Sequence, residues 1–190
     1  MPLLAAASLL FVAACAATAP KTAVSNHGAP RGLDTTIRTV DFQNFTYEDV
    51  TVKDGEYERP KDADGDSQGF FSAGKPVYGD VDGDNVEDAI VITIDNSGGT
   101  GMFDAARVYM MRNGAPVQVA AVPGGDRGDG GLRDVTVEPG GLIVERFLSG
   151  DGDGACCPSQ ITVEHWRWTG KDLAIDEQRS KTIPNPDHDN

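Results

Sequence analysis

The chain has 190 residues, of which 39% are hydrophobic, and it contains 23 glycines and 11 prolines. This length allows one domain with a real core, and this composition favours a turn-rich β protein over a helical bundle. Its 30 acidic residues against 16 basic ones give a net charge of −14. That charge excludes nucleic acid and anionic membrane surfaces as partners, because binding to either requires a basic face.

Residues 1–19 have the features of an export signal. They carry no charge, and the apolar run 3–14 is too short to span a bilayer as a mature helix. The run ends in V-A-A-C, which resembles the bacterial lipobox, where the cysteine, here Cys15, is lipidated and becomes the new N-terminus. The alternatives are ordinary cleavage near Ala17 or Ala19 and a buried Cys15 in an apolar segment. A standard export signal starts with basic residues that this one lacks, so we expect the true start to lie upstream.

Residues 36–178 predict one mainly β domain with few or no helices. We expect an antiparallel sandwich, or a half-barrel or propeller-blade-like sheet, because no stretch of ten residues shows a helical period with caps. Asn113-Gly114 is a strong hairpin signal, since both central residues of a tight hairpin turn take a positive φ. Residues 20–35 predict a flexible tether and residues 179–190 a disordered tail. The predicted strands are a pair over 37–47, then 50–53, 89–94, 107–112, 117–122, 132–137, 142–147, 161–168 and 173–176.

The stretch 80–88, D-V-D-G-D-N-V-E-D, predicts a cation-binding loop directly before the most apolar predicted strand. Aspartates stand at its first, third, fifth and ninth positions, and a backbone carbonyl at its seventh position can add a fifth oxygen. Calcium takes about six to eight oxygen ligands at flexible distances, so the sequence predicts a Ca²⁺ site. The alternative is a solvated acidic turn. The predicted metal ligands are Asp80, Asp82, Asp84, Asp88 and the carbonyl of Val86.

Two further features define this loop. Gly83 lets the chain curl, and Asn85 is a residue type that tolerates a positive φ. The loop is not a complete EF-hand, because Val91 stands where a bidentate glutamate would be and no flanking helix is indicated. A second D-x-D-G-D stretch lies at 62–66, but Phe70 stands where its last acid would be. This favours a flexible acidic loop over a second, weak cation site.

Cys156 and Cys157 form the second chemical candidate. If Cys15 carries lipid, each has only the other as an intramolecular partner, and we expect a vicinal disulfide that makes a rigid turn before the last hairpin. The span between neighbouring Cα atoms is shorter than in an ordinary disulfide, so such a ring is strained. Free structural thiols, an intermolecular bridge, and a redox-active or soft-metal pair are the alternatives.

Catalytic chemistry has little support in the sequence. His165 alternates with apolar residues in a predicted strand, which favours a partly buried strand residue over a general base. No nucleophile elbow, zinc-protease motif or nucleophile–base pair is visible. We therefore expect a non-enzymatic protein.

The loop G-D-V-D-G-D-N-V-E-D-A-I-V at 79–91 resembles the calcium-binding FG-GAP repeats of integrin α-chains. Only one full copy is present and a propeller needs several blades, so the resemblance implies the loop and not the fold. The wider pattern over about 36–176 is similar to that of uncharacterised bacterial exported proteins and lipoproteins. Its C-C-P-S end at 156–159 is similar to the same region of actinobacterial LppP/LprE-type lipoproteins. Asn85 replaces the glycine usual in such loops, and D-G-D-G-A replaces the G-D-P that usually precedes the cysteines.

These observations together predict a calcium-stabilised, non-catalytic domain of the bacterial cell envelope or periplasm. It would be anchored through lipid at Cys15, which would be its one link to a membrane, and would bind an envelope protein or glycan. The alternatives are an inhibitor or accessory protein of an envelope hydrolase, whose acidic loops dock on a basic partner, and a thiol-redox enzyme that uses the paired cysteines.

Overall fold

A computed structural model describes residues 34–66, 68–126, 130–154 and 156–188 and confirms a mainly β, antiparallel fold. Two short 3₁₀ helices, Thr36–Thr39 and Phe42–Asn44, precede the strands. The strands are β1 (Thr46–Tyr47), β2 (Val50–Thr51), β3 (Glu56–Glu58), β4 (Phe70–Ala73), β5 (Val77–Gly79), β6 (Asp88–Asn96), β7 (Phe103–Arg112), β8 (Ala115–Asp126), β9 (Leu132–Glu138), β10 (Gly141–Leu148), β11 (Gln160–Trp168) and β12 (Leu173–Pro184).

The strands form two large sheets and one small hairpin. The larger sheet has the order β3-β4-β6-β7-β8, and β5 pairs with the first residues of β6. The second sheet has the order β12-β11-β10-β9, and β1 pairs with β2 alone. The Asn113-Gly114 turn predicted between β7 and β8 is confirmed, with φ of 53° and 80° at its two residues.

The central strand β6 is buried on both faces, which explains why it is almost continuously apolar. Ile90 of β6 packs in a cluster that also contains Leu142 and Val144 of β10, so this cluster lies between the two sheets. Its neighbours Ala89 and Val91 point to the opposite face and pack in a second cluster. Successive side chains of a strand alternate between faces, and the side chains on both faces of β6 pack in a buried cluster. The prediction that this strand is central is confirmed.

An N-terminal segment covers the second face. Phe42 and Tyr47 are buried there, and the rings of Phe42 and Phe45 lie 5.2 and 5.5 Å from the ring of Tyr109 in β7. The Tyr47 hydroxyl donates a hydrogen bond of 2.7 Å to the Phe42 carbonyl, which satisfies its one polar atom inside the cluster. This packing fixes the N-terminal segment against β7.

The prediction of a strand pair over 37–47 is wrong for its first part. Thr36–Thr39 and Phe42–Asn44 are 3₁₀ helices, and only Thr46–Tyr47 is a strand. Ile37 is fully buried all the same. The spacing of apolar residues indicated burial correctly but not the local bonds of the backbone. In the second helix, the side chain of Asp41 accepts a hydrogen bond from the Gln43 amide and caps the helix.

The prediction of a disordered tail from residue 179 is also wrong. Strand β12 continues to Pro184 and pairs with β11 as far as Gln160. After the strand, the Asn185 side chain donates a hydrogen bond of 2.8 Å to the Pro158 carbonyl. Because β12 is an edge strand, its exposed positions accept polar residues while its backbone still pairs. Polarity alone therefore did not indicate disorder.

The predicted export signal, Cys15 and nearly all of the predicted tether lie outside the described residues. Within the part of the chain that the structure describes, there is no helix of the length and apolar character needed to cross a membrane.

Candidate metal centre

The acidic loop connects β5 to β6, and its last carboxylate, Asp88, is the first residue of β6. Gly83 and Asn85 take φ of 81° and 64°, so the two residues expected to allow the tight curl do so. Gly79, directly before the loop, lies against β9: a Cβ there would be 2.8 Å from the side chain of Val137. Only glycine lets the loop start this close to the second sheet.

Asp80 organises the backbone of the loop. Its Oδ1 accepts hydrogen bonds from the amides of Gly83 and Asp84, at 2.7 and 3.0 Å, and its Oδ2 accepts one of 2.9 Å from Asn85. These bonds turn three successive N–H groups toward one carboxylate, which wraps the loop around Asp80.

Three of the predicted ligands come together. Asp80, Asp82 and Asp88 each offer a carboxylate oxygen, and these oxygens all lie within 4.8 Å of one another. Asp88 is only 2% exposed, and its Oδ2 accepts a hydrogen bond of 2.9 Å from the Val81 amide. Among the described residues, no hydrogen bond reaches its other oxygen. This acidic group could hold a metal ion.

The electrostatics of the group are unfavourable without a cation. Burial, reinforced by the charges of the neighbouring aspartates, raises the pKa of Asp88 to about 7. Burial and the charge of Asp84 also raise the pKa of Asp82. Among the described residues, the cationic side chain in contact with the group is that of Arg112, whose Nη2 lies 3.6 Å from Asp82 Oδ2 while nearly half of its side chain is exposed. A dication would favour the ionised form of all three carboxylates.

The other two predicted ligands, Asp84 and the Val86 carbonyl, are not part of this group of three carboxylates. Asp84 is exposed and is not one of the three grouped carboxylates; its Oδ1 accepts a hydrogen bond of 2.8 Å from the Val86 amide. Val86 forms an isolated parallel bridge with Asp34, through hydrogen bonds that use the Asn85 carbonyl and the Glu87 amide. Neither bond uses the Val86 carbonyl, which thus stays available as an oxygen ligand.

Sequence reasoning missed the residue next to the group, Glu87. It is 8% exposed, and its two oxygens accept hydrogen bonds of 2.5 and 2.9 Å from the guanidinium of Arg38. These bonds hold the pKa of Glu87 below its usual value. Arg38 also lies over the ring of Tyr78, 4.5 Å from its centroid. The partner Arg38 lies 49 residues away, and no local pattern in the sequence indicates the pair.

The second acidic loop is a turn organised by Asp62. Its Oδ1 accepts hydrogen bonds of 3.0 and 2.9 Å from the amides of Asp64 and Asp66, and its Oδ2 accepts one of 3.0 Å from the side chain of Gln68. All of these residues are exposed. Within the described ranges, this loop contributes no group of converging acidic ligands.

Cys156 and Cys157 form a vicinal disulfide, as predicted. Both residues are exposed. The loop around them is also held by Asp153, whose Oδ2 accepts hydrogen bonds of 2.6 Å from the amides of both Gly150 and Ser159. These bonds lower the pKa of Asp153. The disulfide is therefore one of several constraints on this loop.

His165 lies in β11, as the alternation predicted. Its Nδ1 lies 3.0 Å from Oε1 of Glu138, which also accepts two hydrogen bonds from Arg179, of 3.0 Å to Oε1 and 2.7 Å to Oε2. The bonds from Arg179, together with the contact with His165, outweigh the opposite effect of burial and hold the pKa of Glu138 below its usual value. The histidine thus belongs to an ion-pair cluster that links β9, β11 and β12.

In comparisons with known proteins, no family model, no curated protein and no solved structure matches the chain.

Proposed function

We propose that this protein is a calcium-stabilised, non-catalytic β domain of the bacterial cell envelope that acts by binding. Asp80, Asp82 and Asp88 would hold the ion, the Val86 carbonyl would add a fourth oxygen, and lipid on Cys15 would anchor the chain. The envelope location is supported by the export-like residues 1–19 and by their ending in a lipobox-like sequence.

The observation that carries this proposal is the state of Asp88. A carboxylate that is 2% exposed and has one oxygen with no described hydrogen-bond partner is costly to ionise. Two more carboxylates lie within 4.8 Å of it, which raises that cost. When such a group stays ionised in a folded protein, it is paired or binds a metal. A bound dication compensates all three charges at once.

Calcium fits the ligand set better than other common ions. All the ligand atoms offered are oxygens, with no imidazole or thiolate, which favours a hard cation over zinc or copper. The loop is irregular and supplies unevenly spaced oxygens, whereas magnesium demands near-octahedral geometry. Three side chains and one carbonyl are few ligands for calcium. We therefore expect weak binding, with a dissociation constant of about 0.1–1 mM, which is the range of extracellular calcium-binding modules.

Thermal unfolding of the chain, with signal and tether present, tests the proposal. We expect millimolar calcium to raise the midpoint relative to EDTA, because the ion binds the folded state alone. Magnesium at the same concentration should raise it less. Identical midpoints in calcium and EDTA would count against the proposal.

Asp88→Asn is the sharpest variant for this test. Asparagine has nearly the same shape and can still accept the hydrogen bond from the Val81 amide, so the metal-free fold should persist. The calcium-induced shift should disappear, because a buried ligand charge is lost. Asp66→Asn, in the acidic loop without converging ligands, is the matched control and should keep the full shift.

A further inference from the structure

We propose that the Cys156–Cys157 disulfide is a thiol-exchange site, where an external thiol reduces both cysteines while the domain stays folded. The pair lies in the loop that joins β10 to β11, and the calcium-dependent function proposed above makes no use of it. The two residues are exposed, the ring that they close is short, and their loop is held by hydrogen bonds that do not involve sulfur.

Exposure and strain together make the pair reducible. Both cysteines are exposed, so a thiolate can reach a sulfur atom without any opening of the fold. Because the residues are adjacent, their Cα atoms lie 3.8 Å apart, whereas an ordinary disulfide spans about 4.4–6.8 Å and deviation from that span stores strain. Structural disulfides of secreted proteins resist reduction by the glutathione pool, while strained or exposed disulfides are the labile ones.

The loop stays attached to the fold when the disulfide is reduced. Asp153 accepts hydrogen bonds of 2.6 Å from the amides of Gly150 and Ser159, which close the loop at its base. Asn185, which follows β12, donates a hydrogen bond of 2.8 Å from its amide to the Ser159 carbonyl and another of 2.8 Å from its side chain to the Pro158 carbonyl. None of these bonds uses an atom of either cysteine, so the two thiols formed remain side by side at the surface.

The exchange proceeds in two steps. The thiolate of the reductant attacks one sulfur of the pair and forms a mixed disulfide with it, while the S–S bond breaks and the other cysteine leaves as a thiolate that takes a proton from water. A second external thiol then attacks the reductant's sulfur in the mixed disulfide, releases the remaining cysteine as a thiol and leaves as an oxidised disulfide. Two electrons thus pass to Cys156 and Cys157, and two external thiols are oxidised.

The charge of the loop favours a neutral or cationic thiol as the reductant. Asp151 and Asp153 precede the pair, no basic residue lies within 149–160, and the whole chain carries a net charge of −14. An anionic thiol, of which glutathione is one, therefore approaches against a repulsion that salt screens. A neutral dithiol meets no such repulsion, and its second thiol is already in place for the second step.

Equilibration of the full chain with glutathione tests this inference, in a Cys15→Ser variant whose only cysteines are the pair. In about 10 mM reduced and about 0.1 mM oxidised glutathione, we expect more than half of the chains to carry reduced cysteines at 156 and 157, because an exposed and strained disulfide equilibrates with this pool. Alkylation followed by mass spectrometry measures that fraction, and far-UV circular dichroism should stay unchanged. A pair that stays oxidised, or a chain that unfolds on reduction, would overturn the inference.

Asp151→Asn tests the contribution of charge to the choice of reductant. Asp151 is exposed, and its replacement leaves the hydrogen bonds of Asp153 in place. At low salt, the variant should be reduced by glutathione about two to three times faster than the unaltered protein, whereas the rate with dithiothreitol, a neutral dithiol, should not change. Asp66→Asn, in the loop between β3 and β4, is the matched control and should change neither rate. Equal glutathione rates in Asp151→Asn and the unaltered protein would contradict the assigned preference.

Discussion

Arg38 and Glu87 form an ion pair of 2.5 Å between the first described segment of the chain and the residue that precedes the buried metal-group carboxylate Asp88. The backbone adds a second link at this place, because the Glu87 amide donates a hydrogen bond of 2.7 Å to the Asp34 carbonyl. The N-terminal segment and the acidic loop are thus one unit. A substitution in one of them should therefore affect the other.

Arg38→Gln should weaken calcium binding without touching a ligand. Glu87 would remain buried without its charged partner, and the loop would lose part of the order that brings Asp88 toward Asp80. Binding to a less ordered site includes the cost of ordering it, so we expect a dissociation constant about three to ten times larger. Arg59→Gln, which breaks a 2.6 Å pair with Asp95 at the other end of β6, is the control. Equal calcium affinities in Arg38→Gln and in the unaltered protein would contradict this coupling.

Asp88 should give the metal-free protein a defined pH dependence. Burial raises its pKa to about 7, whereas an exposed aspartate titrates near ~3.9. The folded state therefore binds this proton more tightly than the unfolded chain. The resulting stability is full below about pH 4 and is lost as the pH rises to about 7, by on the order of 2–4 kcal/mol.

Urea unfolding in EDTA at about pH 5 and about pH 8 measures this effect. Asp88→Asn cannot ionise, so its stability should fall less than that of the unaltered protein between the two values. Other carboxylates titrate in both proteins and cancel in the comparison. The same pH dependence in both proteins would show that Asp88 is not the group responsible.

Gly124 should not tolerate a side chain. The Asp104 Oδ2 accepts a hydrogen bond of 2.7 Å from the Leu132 amide and so links β7 to β9 across the two sheets. A Cβ at Gly124 would lie 1.7 Å from the other oxygen of Asp104. Gly124→Ala must displace this carboxylate and should lower the free energy of unfolding by about 1–3 kcal/mol. Gly74→Ala, whose Cβ would lie 3.3 Å from the Ile92 carbonyl oxygen, is the control and should cost less. A larger loss in the free energy of unfolding for Gly74→Ala than for Gly124→Ala would show that the link between the sheets is not tightly packed.

The vicinal disulfide should contribute little to global stability. It closes the smallest possible loop, so the entropy that it removes from the unfolded chain contributes only about 1 kcal/mol to the free energy of unfolding. Asp153 holds the same loop with two amide hydrogen bonds of 2.6 Å. Calorimetry should therefore show a smaller loss in melting temperature for the double variant Cys156→Ser, Cys157→Ser than for Asp153→Ala. Unfolding of the domain at room temperature on reduction alone would contradict this expectation.

Features that depend on neighbouring residues were predictable from the sequence. The hairpin at Asn113-Gly114, the strand after the acidic loop and the positive φ of Gly83 and Asn85 all follow from local chemistry, and the structure confirms them. The convergence of Asp80 and Asp82 with Asp88 was also expected from their spacing. Local spacing did not show that Asp84 would turn to the Val86 amide instead.

Features that depend on distant residues were not predictable. The pairing of Arg38 with Glu87 joins positions 49 residues apart, and nothing in either segment indicates the other. The apolar spacing over 37–47 is the same for a strand pair as for buried 3₁₀ turns, so burial alone could not distinguish them. The polar residues of β12 are accepted because it is an edge strand, and strand order is a property of the whole sheet.

Direct calcium titration by calorimetry, on protein first freed of metal with a chelator, tests the central claim that the three grouped aspartates hold one ion. We expect one calcium per chain in the unaltered protein, and no binding at millimolar calcium in Asp80→Asn, Asp82→Asn or Asp88→Asn. Asp66→Asn should bind as the unaltered protein does. No bound calcium in the unaltered protein, or equal binding in Asp88→Asn, would contradict the account.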